Sequence, residues 1–161
     1  MEKQADIKVK LMLIGRSMAG KTTLCQFLMN EQLKYRKTQT VQVFNHNLID
    51  TPGEYVERRG FRGALSVTAA DADVIVMVQA ANDKTTFFPP GYSTNFTNKP
   101  CIGVVTKADL ADEKGTADAV KILRLAGAGE VYITSSYEGT GFEAFLSALE
   151  RISEEKRRKA N

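Results

Sequence analysis

The chain has 161 residues, of which 43% are apolar and 25% charged, and a net charge of +3. That is enough for one packed domain, and it excludes a disordered or low-complexity chain. So small a positive surplus gives no argument for a nucleic-acid partner, and no apolar segment approaches the roughly 20 residues of a membrane-spanning helix.

Cys25 and Cys101 have no framework spacing and read as small core residues in a reducing compartment. Met1 to Lys10 mixes acidic and basic residues without an apolar stretch. A secretory signal is therefore not expected, and a cytoplasmic location is.

In chain order, Ile7 to Ile14 reads as a buried strand. It runs into Gly15-Arg16-Ser17-Met18-Ala19-Gly20-Lys21-Thr22, a full match to the P-loop pattern. Lys21 to Leu33 follows as a helix, with Leu24, Phe27 and Leu28 on one face. Thr40 to Phe44 and Leu48 to Ile49 form a hairpin around Asn45-His46-Asn47. Asp50-Thr51-Pro52-Gly53 ends that second strand. Gly60 to Ala70 is helical, with Phe61, Leu65 and Ala69 aligned. Val74 to Val78 and Ile102 to Val105 are β-branched runs suited to central parallel strands. Thr116 to Ala126 is a helix, Val131 to Ile133 a last strand, and Phe142 to Ile152 a closing amphipathic helix.

This alternation predicts an α/β fold of the P-loop NTPase type. Its doubly wound, mainly parallel sheet carries helices on both faces and binds ligands at the carboxyl ends of its strands. The whole chain, 1–161, reads as one domain with a short basic end from about residue 154, a solvated helix terminus.

A helix is expected between strands 74–78 and 102–105. The residues there include Phe87-Phe88-Pro89-Pro90-Gly91-Tyr92 and Phe96, and they oppose a long helix. A Pro- and aromatic-rich loop is predicted in its place, its aromatics plugging the sheet face left uncovered. Phe87 or Phe88 is expected to be buried and Tyr92, after the Pro-Pro-Gly turn, exposed.

The motifs define a chemistry. The backbone from Gly15 through Ser17, Met18, Ala19, Gly20, Lys21, Thr22 and Thr23 can wrap phosphates at a helix N-terminus. The Lys21 ammonium bridges the outer phosphates. Thr22 and Asp50 supply oxygens to Mg²⁺, and the Gly53 N–H senses a terminal phosphate. After the strand 102–105 come Thr106-Lys107-Ala108-Asp109. A carboxylate at Asp109 can pair with the N1–H and amino group of guanine, donors that adenine lacks. Lys107 can lay its stem over a base, and Ser135 and Ser136 can orient Asp109 and contact the base carbonyl. His46 reads as a solvated turn residue.

These residues resemble the Ras-like and Era-like P-loop GTPases. They are still more similar to a small family encoded with bacterial ethanolamine- and propanediol-utilisation microcompartments. Lys37-Thr38-Gln39, Asp50-Thr51-Pro52-Gly53-Glu54-Tyr55, the loop around Phe88-Pro89-Pro90-Gly91-Tyr92, and Thr106-Lys107-Ala108-Asp109-Leu110 carry that likeness. It implies GTP or GDP with Mg²⁺ as ligand, ATP remaining open, and microcompartment shell proteins as partners. Thr38 or Thr40 is left to supply a second Mg²⁺ hydroxyl, and the Lys-Thr-Gln segment favours Thr38.

The departures from well-studied GTPases are informative. Glu54 stands where many have a water-orienting glutamine, which implies a catalytic position with slow hydrolysis. Met18 replaces an asparagine linked with K⁺-assisted turnover, and Thr106 replaces the usual asparagine of the base motif. The readings are a slow GTPase, a phosphotransferase from ATP or GTP to a small acid, or a docking module.

Overall fold

The computed structural model describes residues 9–28, 42–44, 48–57, 62–96 and 98–160, with the backbone alone at 42–44, 54, 55 and 62. Six strands form one sheet: β1 (Leu11–Ile14), β2 (Gln42–Phe44), β3 (Leu48–Asp50), β4 (Val74–Ala80), β5 (Cys101–Thr106) and β6 (Glu130–Ile133), in the order β2-β3-β1-β4-β5-β6. Five are mutually parallel. The edge strand β2 pairs antiparallel with β3, as a hairpin must. The helices are α1 (Lys21–Leu28), α2 (Glu54–Glu57), α3 (Arg62–Ala70), α4 (Glu113–Ala126) and α5 (Phe142–Ala160).

The central strands are apolar except at their carboxyl ends, where Gln79 and Thr106 stand, because both faces are covered. Leu11, Leu13, Val74, Val76, Val78, Ile102 and Val104 face α1 and α5, where Leu24, Phe145 and Leu149 complete the layer. Phe27 of α1 stacks on Phe142 of α5 at 3.8 Å between ring centroids. Met12, Ile14, Ile75, Met77 and Val105 point to the other face, against Leu65 and Ala69 of α3 and Leu123 of α4. Helices thus lie on both faces, as the alternation predicts. Cys25 and Cys101 are buried and unbridged, and burial pushes both thiols up, Cys101 to about 11.

Among the described residues the segment between β4 and β5 contains one 3-10 turn, Tyr92–Asn95, and no α-helix. Phe88 and Phe96 are buried in the core shared with α3 and α4. Tyr92 is not exposed, contrary to expectation. It is half-buried, edge-on between Phe88 and Phe96 at 5.3 and 5.8 Å. The Pro-Pro-Gly turn folds back rather than outward, because the Gly91 N–H donates to the Leu125 carbonyl of α4 at 2.8 Å. At its other end the loop is tied to α3, where Lys99 Nζ donates to the carbonyls of Ala70 and Ala72. The loop therefore replaces a helix in function as well as in place, bridging α3 and α4 over the sheet. Phe87 is the aromatic turned out, 40% exposed.

Helices α2, α4 and α5 differ from the sequence reading. α2 is absent from it because the four residues described, Glu54–Glu57, are too few to show periodicity. α4 begins at Glu113 rather than Thr116, where the Asp112 side chain caps it by accepting from Gly115 N–H. α5 continues past Ile152 to Ala160. Residues 153–160 lack an apolar stripe but are mostly Glu, Lys, Arg and Ala, strong helix formers. Basic residues in the last turn complement the helix dipole, and Arg157 pairs with Glu154 at 2.7 Å. Helix α1 is described only to Leu28, and Thr40, His46, Gly60 and Phe61 lie outside the described residues.

Replacing Phe88 or Phe96 with alanine should cost roughly 3–5 kcal/mol each, as for buried aromatics generally, whereas Phe87→Ala should cost under about 1 kcal/mol. Urea denaturation of the single variants checks this order. Equal losses at all three positions would contradict the loop's role as a core plug.

Candidate functional site

The carboxyl ends of β1, β3, β4 and β5 converge where the chain leaves β1 for α1. Met18 (φ 70°) and Gly20 (φ 97°) both take left-handed backbone conformations there. Alternation of this kind turns successive amide N–H groups to one side, a concavity suited to anions. Met18 is 62% exposed, and its carbonyl accepts from Lys107 Nζ. The loop is closed by Ala19 N–H to the Arg16 carbonyl at 3.1 Å.

Lys21 opens α1 and is buried, its Nζ donating to the Arg16 carbonyl at 3.1 Å. Burial lowers its pKa, opposed by the charges of Asp50, Cys25 and Glu57. Beside it the Thr22 hydroxyl donates to Asp50 Oδ2 at 2.7 Å, and Asp50 is fully buried at the end of β3. Two hard oxygens thus meet next to the loop. Among the described residues no cluster of three His, Cys, Asp or Glu side chains offers a protein-only metal cage. Mg²⁺ needs none where it keeps waters and shares phosphate oxygens, so the donor pair fits that ion.

The turn after β3 is locked against the loop between β1 and α1, which carries the P-loop sequence motif and takes the name phosphate loop from it. The Thr51 hydroxyl donates to the Leu13 carbonyl at 2.8 Å. A Cβ on Gly53 would fall 2.1 Å from the Ser17 nitrogen, so only glycine lets the two loops touch. Helix α2 starts immediately, with Val56 and Glu57 N–H donating to the Gly53 carbonyl. It carries Glu57 back over the loop, where Oε1 accepts from Ser17 N–H at 2.6 Å. Glu54 opens this helix, and its side chain lies outside the described residues, as does Thr38.

At the other end of the loop is a cleft of about 270 Å³ lined by Gly20, Thr23, Thr106, Lys107, Asp109, Leu110, Ser136 and Tyr137. Thr106 is buried and its hydroxyl donates to the Ala19 carbonyl, fastening β5 to the phosphate loop. Lys107 adopts φ 58°, a strained conformation for a side-chain-bearing residue, and its Nζ reaches the Met18 carbonyl at 2.6 Å. Its stem spans the cleft between the two loops. Ser135 donates its hydroxyl to Asp109 Oδ1 at 2.7 Å and accepts from Glu138 N–H at 3.1 Å. The structure therefore sets Asp50 and Gly53 against Thr22 and Ser17 of the loop on one side, and Thr106, Lys107 and Asp109 beside Gly20 and Thr23 on the other.

Three participants were given no role by the sequence, although Arg16 and Tyr137 lie inside its motifs. Glu57 is one. Tyr137, 90% exposed at the cleft mouth, is another. The third is Arg16, whose guanidinium donates to Asp83 Oδ2 at 3.0 Å and to the Thr85 hydroxyl, and lies 5.1 Å from the Phe87 ring centroid. Its carboxylate partner is 67 residues away, beyond the reach of any local pattern.

The model of the family described as "Ethanolamine utilisation - propanediol utilisation" matches residues 8–151. The chain belongs to the PduV-EutP family. Every site residue described above falls within that match. The chain is 44% identical over 144 residues to the propanediol utilization protein PduV of Citrobacter freundii, covering 88% of this chain and 95% of that protein. It is 31% identical over 146 residues to a protein of Salmonella typhimurium named probable acetate kinase EutP, covering 91% and 92% of the two chains. The protein of the same name from Escherichia coli is 28% identical over the same length, again covering 91% and 92%. No described helix of this PduV-EutP family member is long and apolar enough to cross a membrane.

Thr106→Val should destabilise the fold by about 1–3 kcal/mol, since it leaves the Ala19 carbonyl without its buried donor, while Thr106→Ser should retain most of the stability. Chemical denaturation distinguishes them. Equal stability of the valine variant and the parent would show that the hydroxyl does not fasten the loop.

Proposed function

We propose that this protein binds a purine nucleoside triphosphate with Mg²⁺, GTP in preference to ATP, and transfers its terminal phosphoryl group slowly. The observation that carries this reading is the Asp109–Ser135 pair, set beside a cleft that opens directly onto Gly20 and Thr23 of the phosphate loop. Asp109 would accept from the N1–H and amino group of guanine, Ser135 holding the carboxylate in place. The Lys107 stem and the Tyr137 ring offer apolar walls for a base.

Around the loop each residue has a definable task. The loop amides and Lys21 bind and neutralise the phosphates, and Thr22 and Asp50 would hold the Mg²⁺, which supplies charge neutralisation to the transferring group. The Arg16 guanidinium is paired with Asp83 and Thr85, which leaves it engaged within the protein rather than free to meet the transferring group. Glu54 follows Gly53 where an amide would position water. Both features favour slow turnover to water.

A second reading rests on relatives named probable acetate kinase. Here a carboxylate oxygen of a small acid attacks the terminal phosphorus, the bond to the diphosphate breaks, and an acyl phosphate leaves with the nucleoside diphosphate. The same site serves both readings, since phosphoryl transfer needs positioning and charge neutralisation. Cytoplasmic work beside ethanolamine- or propanediol-utilising enzymes suits either, with microcompartment shell proteins as candidate partners. Burial of Phe88 and Phe96 removes most of the surface a docking module would have used.

The experiment is calorimetry with GTP, GDP and ATP, followed by phosphate release and acyl-phosphate detection with and without acetate. Lys21→Ala should weaken triphosphate binding by roughly a hundredfold or more while the fold survives. Asp109→Asn should weaken guanine nucleotides by about a hundredfold and favour xanthine, which offers the complementary carbonyl. Unchanged affinities in both variants would sink the reading. Acyl phosphate formed from acetate would select the second form of it.

A further inference from the structure

Glu57 lies outside every motif of the sequence, yet its carboxylate accepts from the Ser17 N–H of the phosphate loop at 2.6 Å. We propose that the Glu57 carboxylate competes with the terminal phosphate of a bound nucleotide, so that this residue sets the preference between nucleoside diphosphate and triphosphate. The inference rests on the nucleotide reading above and adds a specificity residue to it.

Position comes first. The base cleft touches the loop at Gly20 and Thr23, whereas Ser17 lies at the loop's opposite end, packed on Gly53. A nucleotide with its base against Asp109 and its phosphates along the loop reaches Ser17 with its outermost phosphate alone. That is the N–H to which Glu57 Oε1 is bonded, at 2.6 Å, at the short end for a hydrogen bond to a charged acceptor. A carboxylate here presents the charge and oxygen chemistry of a phosphate to the same donor.

Charge comes second. Glu57 acts on Lys21 together with Asp50, so the buried ammonium already has anionic company. A terminal phosphate drawn to Lys21 would meet Glu57 at close range, and like charges at such separation in a part-buried site repel strongly. One of the two must leave. Helix α2 is described from Glu54 to Glu57, and the N–H groups of Val56 and Glu57 donate to the Gly53 carbonyl, so withdrawing Glu57 gives up the Ser17 bond and draws on these contacts. A diphosphate, ending nearer Lys21 and Thr22, leaves the Ser17 bond in place. Triphosphate binding thus becomes coupled to release of α2, and the cost of release is subtracted from triphosphate affinity alone.

The test is calorimetric titration of the full chain, Glu57→Ala and Glu57→Gln with GDP and with a non-hydrolysable GTP analogue, each with Mg²⁺. Thermal melts are run beside it. In Glu57→Ala the triphosphate analogue should bind roughly tenfold more tightly while GDP affinity changes by less than about twofold. Glu57→Gln keeps an acceptor for Ser17 but removes the charge, so it should show a smaller gain in the same direction. It also carries the comparison if the alanine variant melts early. Equal gains for both nucleotides would reduce Glu57 to a general negative charge and overturn the proposal. So would a selective loss of triphosphate affinity, which would make Glu57 a supporter of the phosphate site. Absence of binding of either nucleotide to all three proteins would overturn the nucleotide reading itself, and the competitor with it.

Discussion

A buried lysine ammonium is the constraint around which this molecule is arranged. An unpaired cation inside an apolar frame is expensive, so the chain must bring acceptors and anions to Lys21. They come from separate elements: a carbonyl from the loop before it, Asp50 from the end of β3, Glu57 from α2. That convergence demands parallel strands whose carboxyl ends meet, and it demands a glycine at position 53 so that the turn can reach Ser17. The same arrangement that relieves the lysine leaves a concave, cation-bearing surface, suited to a polyanion. Structural need and binding capacity are here one feature.

The missing helix between β4 and β5 bears on the site as well as the core. Its replacement loop begins with Asp83, Thr85 and Phe87, all of which engage Arg16 of the phosphate loop, and continues to Phe88 and Phe96 in the core. Gln79 of β4 secures this stretch by donating to the carbonyls of Asp83 and Thr85. The phosphate loop therefore leans on the sheet through β1, on β5 through Thr106 and Lys107, and on the aromatic loop through Arg16. A loop held from these directions does not pay much ordering entropy when an anion arrives.

Much of this was legible in the sequence, for identifiable reasons. Fully apolar runs such as Val74 to Val78 could only be strands covered on both faces. The phosphate loop stood out because glycine, lysine and threonine at fixed spacing between strand and helix have few other uses. Proline and aromatics disclosed the loop between β4 and β5, but the side to which Tyr92 turned depended on the Gly91–Leu125 hydrogen bond, which joins distant segments. The same limit hid Glu57 and Arg16, whose meaning lies in partners far along the chain. For Thr106, the sequence disclosed a position in the base motif, while the structure shows its hydroxyl directed at Ala19. The length of α5 escaped because its last turns carry no apolar period.

Helix α5 begins beside the bridge between Ser135 and Thr140, close to the cleft, and runs the full height of the sheet. Arg151 reaches Glu130 at the start of β6, and Lys156 reaches Asp73 just before β4. Its basic end therefore sits at the amino-terminal pole of the strands, with the cleft at the other pole. A surface that held the protein by this basic end would leave the cleft facing outward, open to the surrounding solution. The two poles share no residue named here, so attachment at one leaves the other unobstructed.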